Sequence, residues 1–407
     1  MNAFNPTEIS RRRFLAQAGV GLASVSTLSR ALAQGTAANS RVRLGLIGCG
    51  DRGQWIIDLF AEHGGYEVAA AADYFRDRVD QVAAKYQLGP GRRFTGLQCA
   101  EKMIAQGGLD AVAIISPPYF RPTQARAAVL AGLHVYAAKP VAVDSPGALS
   151  ILETCEVARR RGIVFLVDFQ TRTNEFYIEA IRRLHSGSMG DICFGEGANH
   201  VGRLPIKAPP GTPEARLRNW VFDKGLSGDI VVEQNIHVID VMSWAMKETP
   251  PIRCTGTGGR KARIDVGDNW DHFALVYEYA GNVGFTFSSR QFDGYGAPEG
   301  FLNRIVGTKG VLSTSYGGQV MIFGAGENFY RGGTTGGIYK DGAVANIKSF
   351  HDLVQAKDSA NITVEPSVTS TLAAILGRTA AYEGHAVTWD ELLKMKPLTP
   401  DLSGLQA

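Results

Sequence analysis

The sequence predicts an α/β protein with an N-terminal, doubly wound parallel sheet and a C-terminal α+β domain that has a large, mostly antiparallel sheet. Short apolar strands alternate with helices over residues 42–169, a pattern typical of parallel sheets covered by helices. Between residues 252 and 323 strands follow one another without helices, which favours antiparallel pairing. A chain of 407 residues has room for both domains. We predict a leader at 1–33, an arm at 34–41, a nucleotide-binding domain at 42–169 and a substrate-binding domain at 170–407.

The predicted leader has the pattern of an export signal. Arg11-Arg12-Arg13 precede Phe14-Leu15 and an apolar stretch, and Ala31-Leu32-Ala33 has the small residues of a signal-peptidase site, with Gln34 as the first mature residue. A twin arginine followed by Phe-Leu is similar to the twin-arginine signal, which exports folded proteins. It predicts a periplasmic protein with no stable membrane insertion after cleavage. An uncleaved anchor and a frayed basic helix are the alternatives, although the stretch is too polar to span a bilayer well.

Charge and cysteine usage exclude several classes of function. The net charge is +3, and the leader accounts for all of it, with four arginines against one glutamate. The remainder has no basic excess with which to neutralise phosphates, so nucleic acid is excluded and a small-molecule partner is expected. The cysteines are odd in number and form no Cys-x-x-Cys pair, which predicts buried single thiols and no metal site. These are Cys49, Cys99, Cys155, Cys193 and Cys254.

A glycine-rich segment after the first strand predicts a Rossmann dinucleotide-binding loop. Strand 43–47 runs into Gly48-Cys49-Gly50-Asp51-Arg52-Gly53, and a helix follows. Gly48 permits the tight turn, Gly50 lets the backbone approach a pyrophosphate, and Gly53 lets the helix pack on the strand. The helix N-terminus then faces the phosphates with its positive dipole end. We therefore expect the whole segment to bind the cofactor.

The end of the second strand indicates which nucleotide is bound. Asp73 ends strand 67–72, twenty residues after Gly53, where a carboxylate accepts both ribose hydroxyls and repels a 2′-phosphate. This favours NAD over NADP. Arg76 and Arg78 lie close enough to weaken that preference, so NADP stays open.

Other candidates follow later strands of the predicted parallel sheet. Ligands lie beyond the carboxyl ends of such strands. Ser116, Pro117 and Tyr119 follow strand 111–115, and Lys139 follows strand 134–138. We therefore predict contacts from all four to the cofactor and a catalytic role for Lys139, whose alternative is a solvated surface lysine.

The second domain supplies a polar helix face. If residues 229–245 form one helix, Glu233, His237 and Asp240 lie along one side of it, because they are four and three residues apart. Apolar residues cover the rest of the helix, so this triad is buried and needs either a function or a matched network. The alternative is a polar helix face that is exposed to solvent and on which the histidine forms a salt bridge.

Together these motifs resemble the Gfo/Idh/MocA family, which includes glucose–fructose oxidoreductase and inositol dehydrogenase relatives. The resemblance rests on Gly48–Gly53 with Asp73, on the turn Ser116-Pro117-Pro118 and on Ala138-Lys139-Pro140, and it continues to the tail Thr388-Trp389-Asp390-Glu391. The family usually has Glu-Lys-Pro where this chain has Ala-Lys-Pro. It usually has Asp-x-x-x-His where this chain has glutamate before the histidine.

The resemblance implies hydride transfer between a sugar or polyol hydroxyl and tightly bound NAD(P). His237 would be the general base, Glu233 would orient it, Asp240 would complete the catalytic set, and Lys139 would stabilise the developing alkoxide. It also implies homo-oligomerisation through the antiparallel sheet. Side chains that would contact the sugar, alongside His237 itself, are His200, Arg203, Trp220 and Asn235, with Asp271 and His272 as weaker candidates.

Two alternatives remain open at this stage. Relatives of the same kind include NAD-dependent glycoside hydrolases, which oxidise a sugar transiently, eliminate the aglycone and re-reduce the product; they need the same lysine, histidine and carboxylate. The second alternative is a non-catalytic protein that binds nucleotide or sugar.

Overall fold

The computed structural model describes residues 41–407. The predicted export signal, its cleavage site and all but the last residue of the predicted arm lie outside the described residues. Within 41–407 no helix is both long and apolar enough to cross a membrane.

The first domain contains the predicted parallel sheet. Its six strands lie in the order β3-β2-β1-β4-β5-β6, and every neighbouring pair is parallel. The order reverses between β1 and β4, which is where such sheets open a crevice for ligands. The strands are β1 (Val42–Ile47), β2 (Tyr66–Ala72), β3 (Arg93–Phe94), β4 (Ala111–Ile114), β5 (His134–Ala138) and β6 (Phe165–Asp168).

Helices cover both faces of this sheet, as the alternating pattern predicts. Each presents small and apolar side chains to the strands; Ile56, Ile57 and Phe60 of the first helix are fully buried. The first helix ends at Gly64, whose φ of 77° suits a glycine. The helices are α1 (Asp51–His63), α2 (Arg76–Lys85), α3 (Cys99–Gln106), α4 (Arg121–Leu130) and α5 (Ser145–Arg160).

The second domain is built on a nine-stranded sheet in the order β14-β13-β12-β11-β7-β10-β9-β8-β15. Only β7 and β10 pair in parallel, so the prediction of a mostly antiparallel sheet is confirmed. The strands are β7 (Ile192–Val201), β8 (Arg253–Gly259), β9 (His272–Tyr279), β10 (Val283–Gln291), β11 (Gly300–Gly307), β12 (Gly310–Ser315), β13 (Gln319–Gly324), β14 (Tyr330–Thr334) and β15 (Val387–Thr388).

Helices cover the inner face of this sheet and join it to the first domain. The penultimate long helix packs on α1, and the last long helix lies between α5 and the inner side of the second domain. Within residues 41–407 no helix covers the outer face. The helices are α6 (Glu175–His185), α7 (Pro213–Arg218), α8 (Lys224–Ser227), α9 (Ile230–Glu233), α10 (Ile236–Ala245), α11 (Ile338–Ala356), α12 (Val364–Glu383) and α13 (Trp389–Leu392).

The prediction of one helix over residues 229–245 is wrong. Helix α9 ends at Glu233 and α10 begins at Ile236, with a turn at residues 234 and 235 between them. In this turn the amide of Asn235 donates to the carbonyl of Ile230, five residues back, at 2.9 Å. This wider loop ends the regular α-helical ladder. Both sides of the break are apolar and buried, so hydrophobic periodicity carries no sign of it.

Candidate active site

The glycine-rich loop is packed so closely that Gly48 and Gly53 have no room for a side chain. Gly48 has a φ of 93°, and a Cβ there would lie 2.6 Å from the amide nitrogen of Ser116. A Cβ on Gly53 would lie against the carbonyl oxygen of Gly48. The loop is therefore held against the end of β4, and α1 starts directly behind it, which leaves backbone amides facing the crevice.

A cleft of about 600 Å³ opens at this point of the first sheet. Predicted cofactor residues Gly48, Gly50, Asp73, Ser116 and Pro117 line it. Two walls of the cleft are formed by residues that were not predicted to bind the cofactor. The first-domain wall adds Phe75, Arg78, Phe120 and Gln124, and the second-domain wall consists of Leu217 and Trp220. Trp220, predicted to contact the sugar, thus lies in the nucleotide cleft instead.

Asp73 joins the loop to the second strand. Its Oδ2 accepts the amide of Cys49 at 2.7 Å, and its Oδ1 accepts the amide of Phe75 at 2.9 Å. Burial raises the pKa of Asp73, although these amides and Arg78 act in the opposite direction. Cys49 itself contributes only its backbone to the loop, because its buried thiol donates to the carbonyl of Ala72.

Two predicted cofactor residues have other partners, and a third lies outside the cleft lining. The carboxylate of Asp51 accepts from Lys207 of the second domain at 2.7 Å. Arg52 is absent from the cleft lining: its guanidinium donates to Asp168 at 2.6 Å and stacks on aromatic rings, so the prediction that its side chain binds the cofactor is corrected. Tyr119 is absent from the cleft lining, where its neighbour Phe120 takes the place.

Lys139 lies where the two domains meet. Its Nζ donates to the main-chain carbonyl of Glu233 at 2.7 Å, and the Glu233 carboxylate is 3.8 Å away. In a continuous helix that carbonyl would accept the amide of His237, so the break between α9 and α10 leaves it to the lysine. Burial lowers the pKa of Lys139; Glu233 opposes this, while Arg52 and Arg121 add to it.

His237 lies in an aromatic pocket. The rings of Phe169, Phe301 and Tyr316 have their centroids 6.3, 6.1 and 5.2 Å from the imidazole. Its Nδ1 is buried and has no hydrogen-bond partner among residues 41–407. Burial lowers the pKa of His237 well below the ordinary histidine value, and the charges of Lys139 and Arg52 lower it further. The imidazole is therefore neutral at pH 7 and available to accept a proton.

The predicted triad is not a unit. The prediction that Glu233 orients His237 is corrected, because the helix break turns Glu233 towards Lys139. Asp240 is fully buried, and its carboxylate accepts from Arg172 and from the hydroxyl of Ser370 at 2.7 Å. Its catalytic assignment is corrected as well: it is the anion of a buried ion pair that holds α10 in place.

The remaining predicted sugar contacts are dispersed. Successive strand residues point to opposite faces, and Asn199 faces the inner side, so His200 lies on the uncovered outer face, 3.0 Å from Ser288. Arg203 pairs with Asp265 at 2.7 Å. Asp271 accepts three amides of residues 261–263, which gives it and the adjacent His272 a structural position. These four predictions are corrected by geometry. Asn235 is buried in the helix break, and its side-chain amide atoms, Oδ1 and Nδ2, have no partner within residues 41–407.

Sequence reasoning missed the arginine that holds the two loops of the site together. Buried Arg121, the first residue of α4, donates to the carbonyls of Ser116, Ala138 and Pro140 at 2.9, 3.0 and 2.5 Å. It thereby fixes the Ser116 turn against the turn that carries Lys139. The sequence contains one sign of this role: a charged residue begins a helix whose buried side chains are mostly small and apolar.

The site fits a nicotinamide dinucleotide. The packing at Gly48 and Gly53 fixes the glycine-rich turn, Gly50 lines the cleft where a pyrophosphate binds in such folds, and the cleft runs along the ends of β1, β2 and β4. On the other domain, the buried Nδ1 of His237 has no hydrogen-bond partner within residues 41–407. Such a two-domain arrangement defines the class of nicotinamide-dependent oxidoreductases that hold a nucleotide on one domain and a substrate against a second.

Comparison with known proteins specifies the family. Residues 42–169 match the model of the oxidoreductase family with an NAD-binding Rossmann fold, and residues 177–313 match the GFO/IDH/MocA C-terminal domain. The chain belongs to the Gfo/Idh/MocA family, and its first domain is an NAD-binding Rossmann domain.

Curated relatives have two kinds of name. A glycosyl hydrolase family 109 protein of Streptomyces niveus is 34% identical over 40% of this chain and 33% of its own. Inositol 2-dehydrogenase 4 of Saccharopolyspora erythraea is 27% identical over 52% of this chain and 55% of its own. The chain thus spans between a third and about half of these relatives.

Solved structures establish the fold over a longer stretch. The WlbA dehydrogenase of Bordetella pertussis, in complex with NADH and UDP-GlcNAcA, has a TM-score of 0.70 at 18% identity, covering 86% of this chain and 97% of that one. The scyllo-inositol dehydrogenase of Lactobacillus casei has a TM-score of 0.66 at 19% identity, covering 86% and 99%.

Proposed function

We propose that this protein is an oxidoreductase that transfers a hydride between a sugar or polyol hydroxyl and tightly held NAD. One observation carries the proposal: Lys139 and His237 lie largely buried at the junction of the NAD-binding domain and the second domain, close enough for the charge of Lys139 to lower the pKa of His237. The names of the inositol dehydrogenase relatives agree with a polyol alcohol as substrate.

The chain's own residues handle the proton and the developing charge. NAD, when bound, supplies the hydride acceptor. His237 takes the hydroxyl proton, since its lowered pKa keeps the imidazole neutral. Lys139 donates a hydrogen bond to the reacting oxygen and stabilises its negative charge, while Glu233 holds the ammonium in place. The loops fixed by Arg121 orient Lys139.

The leader adds a physical constraint to this proposal. Its twin-arginine pattern supports export to the periplasm, where free NAD is scarce. An enzyme in that location needs a cofactor that is loaded before export and regenerated within each cycle. N-terminal sequencing of the protein from a periplasmic extract tests this, with Gln34 as the expected first residue.

Homo-oligomerisation is part of the same proposal. The outer face of the nine-stranded sheet is uncovered and has exposed apolar residues, among them Phe194, Val276 and Leu302. Apolar side chains gathered on one open sheet face favour association. Light scattering of the mature chain measures it, and a monomer mass would contradict it.

A second candidate function is NAD-dependent glycoside hydrolysis. Its support is the family 109 name carried by several relatives, including one that is 34% identical over 166 residues. That reaction begins with the same oxidation of a sugar hydroxyl and ends with re-reduction. It therefore uses Lys139 and His237 in the same roles, with no net redox change.

Nicotinamide absorbance of the purified protein distinguishes the two functions. With free sugars and polyols, we expect lasting reduction of the bound cofactor, which a second carbonyl compound reverses. The same measurement is made with aryl glycosides. Release of the aglycone without a net change in nicotinamide absorbance would assign the hydrolase function. No spectral change and no aglycone release across both panels would contradict catalysis altogether.

A further inference from the structure

A segment of the second domain crosses the open side of the NAD cleft. This crossing segment, residues 207–222, includes α7 and the turn after it. Its residues Leu217 and Trp220 form the wall of the cleft that faces Gly50 and Asp73. Because the aspartate that ends the second strand binds the adenosine ribose in such folds, this wall lies at the adenosine end.

Two cations of the crossing segment bridge to the first domain, one on each side of the cleft. Lys207 Nζ lies 2.7 Å from Asp51 at the start of α1, directly after the glycine-rich turn. Arg218 lies 2.8 Å from Asp77 in the first turn of α2, and its guanidinium stacks 3.9 Å above the ring of Phe75. These contacts connect the segment to the first turns of α1 and α2, on both sides of the cleft.

The C-terminal tail, residues 401–407, reinforces this closure. Leu402 and Leu405 pack into the same apolar cluster as Phe75, Leu217 and Trp220. The main chain of Gln406 accepts the amide of Leu97 at 2.9 Å and donates to Tyr74 at 3.1 Å. Leu97 and Tyr74 both line the cleft, so the tail supports its rim.

The contacts that hold the crossing segment over the cleft are individually weak. The carboxylates of Asp51 and Asp77 are 80% and 55% exposed, and ion pairs at such exposure are weak and screened by salt. The apolar cluster is small: among residues 41–407 its buried members are Phe75, Leu217 and Leu226. Regions with few buried apolar contacts are the ones that open at low free-energy cost.

We propose that the crossing segment is part of the NAD site, where it covers the adenosine half and has to open before the nucleotide can leave. Trp220 and Leu217 are its binding residues, and Lys207 and Arg218 are positioning residues that keep it closed. The inference rests on NAD binding by the family and deepens the proposed function, because it provides the retention that an exported enzyme needs.

The dissociation rate of NADH from the full-length mature protein tests this proposal without any sugar. Bound NADH fluorescence is followed after mixing with excess NAD⁺. The double variant Lys207→Ala/Arg218→Ala is expected to release NADH about tenfold faster than the wild type. Arg203→Ala is the matched control: it removes an ion pair of the same loop that stays within the second domain, and its rate is expected to be unchanged.

A second readout needs no variant. Raising the ionic strength screens exposed ion pairs, so release from the wild type is expected to accelerate, and the double variant is expected to lose most of that dependence. Equal release rates for the wild type and a folded double variant, or wild-type release that is independent of salt, would overturn the proposal. Since the assay uses NADH and NAD⁺ without any sugar, failure to find an oxidisable sugar leaves this result standing.

Discussion

Replacing Lys139 with alanine is expected to lower kcat by about a hundredfold to a thousandfold, with a much smaller change in KM. The ammonium lies buried at the domain junction, where a charged hydrogen bond to a developing alkoxide is far stronger than in water. Substrate binding uses many other contacts, so it should change little. Steady-state kinetics with the substrate found by the absorbance assay measure both constants, after the NAD content of the variant has been matched to the wild type.

The pH profile makes this prediction specific to the lysine. Burial lowers the pKa of Lys139 from its ordinary 10.5, so wild-type activity should fall at a pH below that value as the ammonium loses its proton. The alanine variant should lack this alkaline limb. Lys85→Ala, which removes an exposed lysine paired with Asp58, is the control and should match the wild type. Unchanged kcat in Lys139→Ala would remove the lysine from the mechanism.

Replacing Asp240 with asparagine is expected to lower the free energy of unfolding by about 3 kcal/mol, because it leaves a buried guanidinium with an incomplete set of anions. Asp240 is fully buried, and Arg172 donates to it from Nε and Nη2 at 2.8 to 3.0 Å. In the variant, Glu248, 2.9 Å from Arg172, still neutralises part of the guanidinium charge, but Asp240 no longer does. Chemical denaturation of the variant and the wild type measures the difference.

The activity of the folded fraction separates a structural role for Asp240 from a catalytic one. At a temperature well below the transition, Asp240→Asn should retain most of its kcat. Glu179→Gln, which removes two surface ion pairs of α6, with Arg182 and Arg183, should leave the unfolding transition nearly unchanged. Large loss of kcat with unaltered stability would restore Asp240 to the catalytic set.

The parts of the site that local sequence determines were predictable. The glycine-rich turn depends on three nearby residues, and its steric reasons are visible in the Cβ positions that Gly48 and Gly53 exclude. The parallel sheet follows from short apolar strands that alternate with helices. Lys139 was found because the carboxyl end of a parallel strand is a defined place in such a sheet.

The parts that depend on distant contacts were not predictable. The aromatic pocket of His237 combines Phe169, which follows β6 of the first sheet, with Phe301 of β11 and Tyr316, which follows β12 of the second sheet, so it depends on how the two domains pack. The break at residues 234 and 235 interrupts a run of buried apolar residues, so helical periodicity continues across it and wrongly places Glu233 beside His237. The role of Arg121 was not predictable, because its partners are main-chain carbonyls of two separate loops.

Transfer of deuterium tests the central claim most directly. The substrate identified by absorbance is prepared with deuterium on its carbinol carbons and mixed with the NAD-loaded protein under single-turnover conditions. The nucleotide is then released and its mass is measured. Hydride transfer at this site would give reduced nicotinamide that has gained one deuterium from the substrate carbon, and much less of this product is expected from Lys139→Ala. Reduced nucleotide without deuterium, or no reduction at all, would contradict hydride transfer at this site.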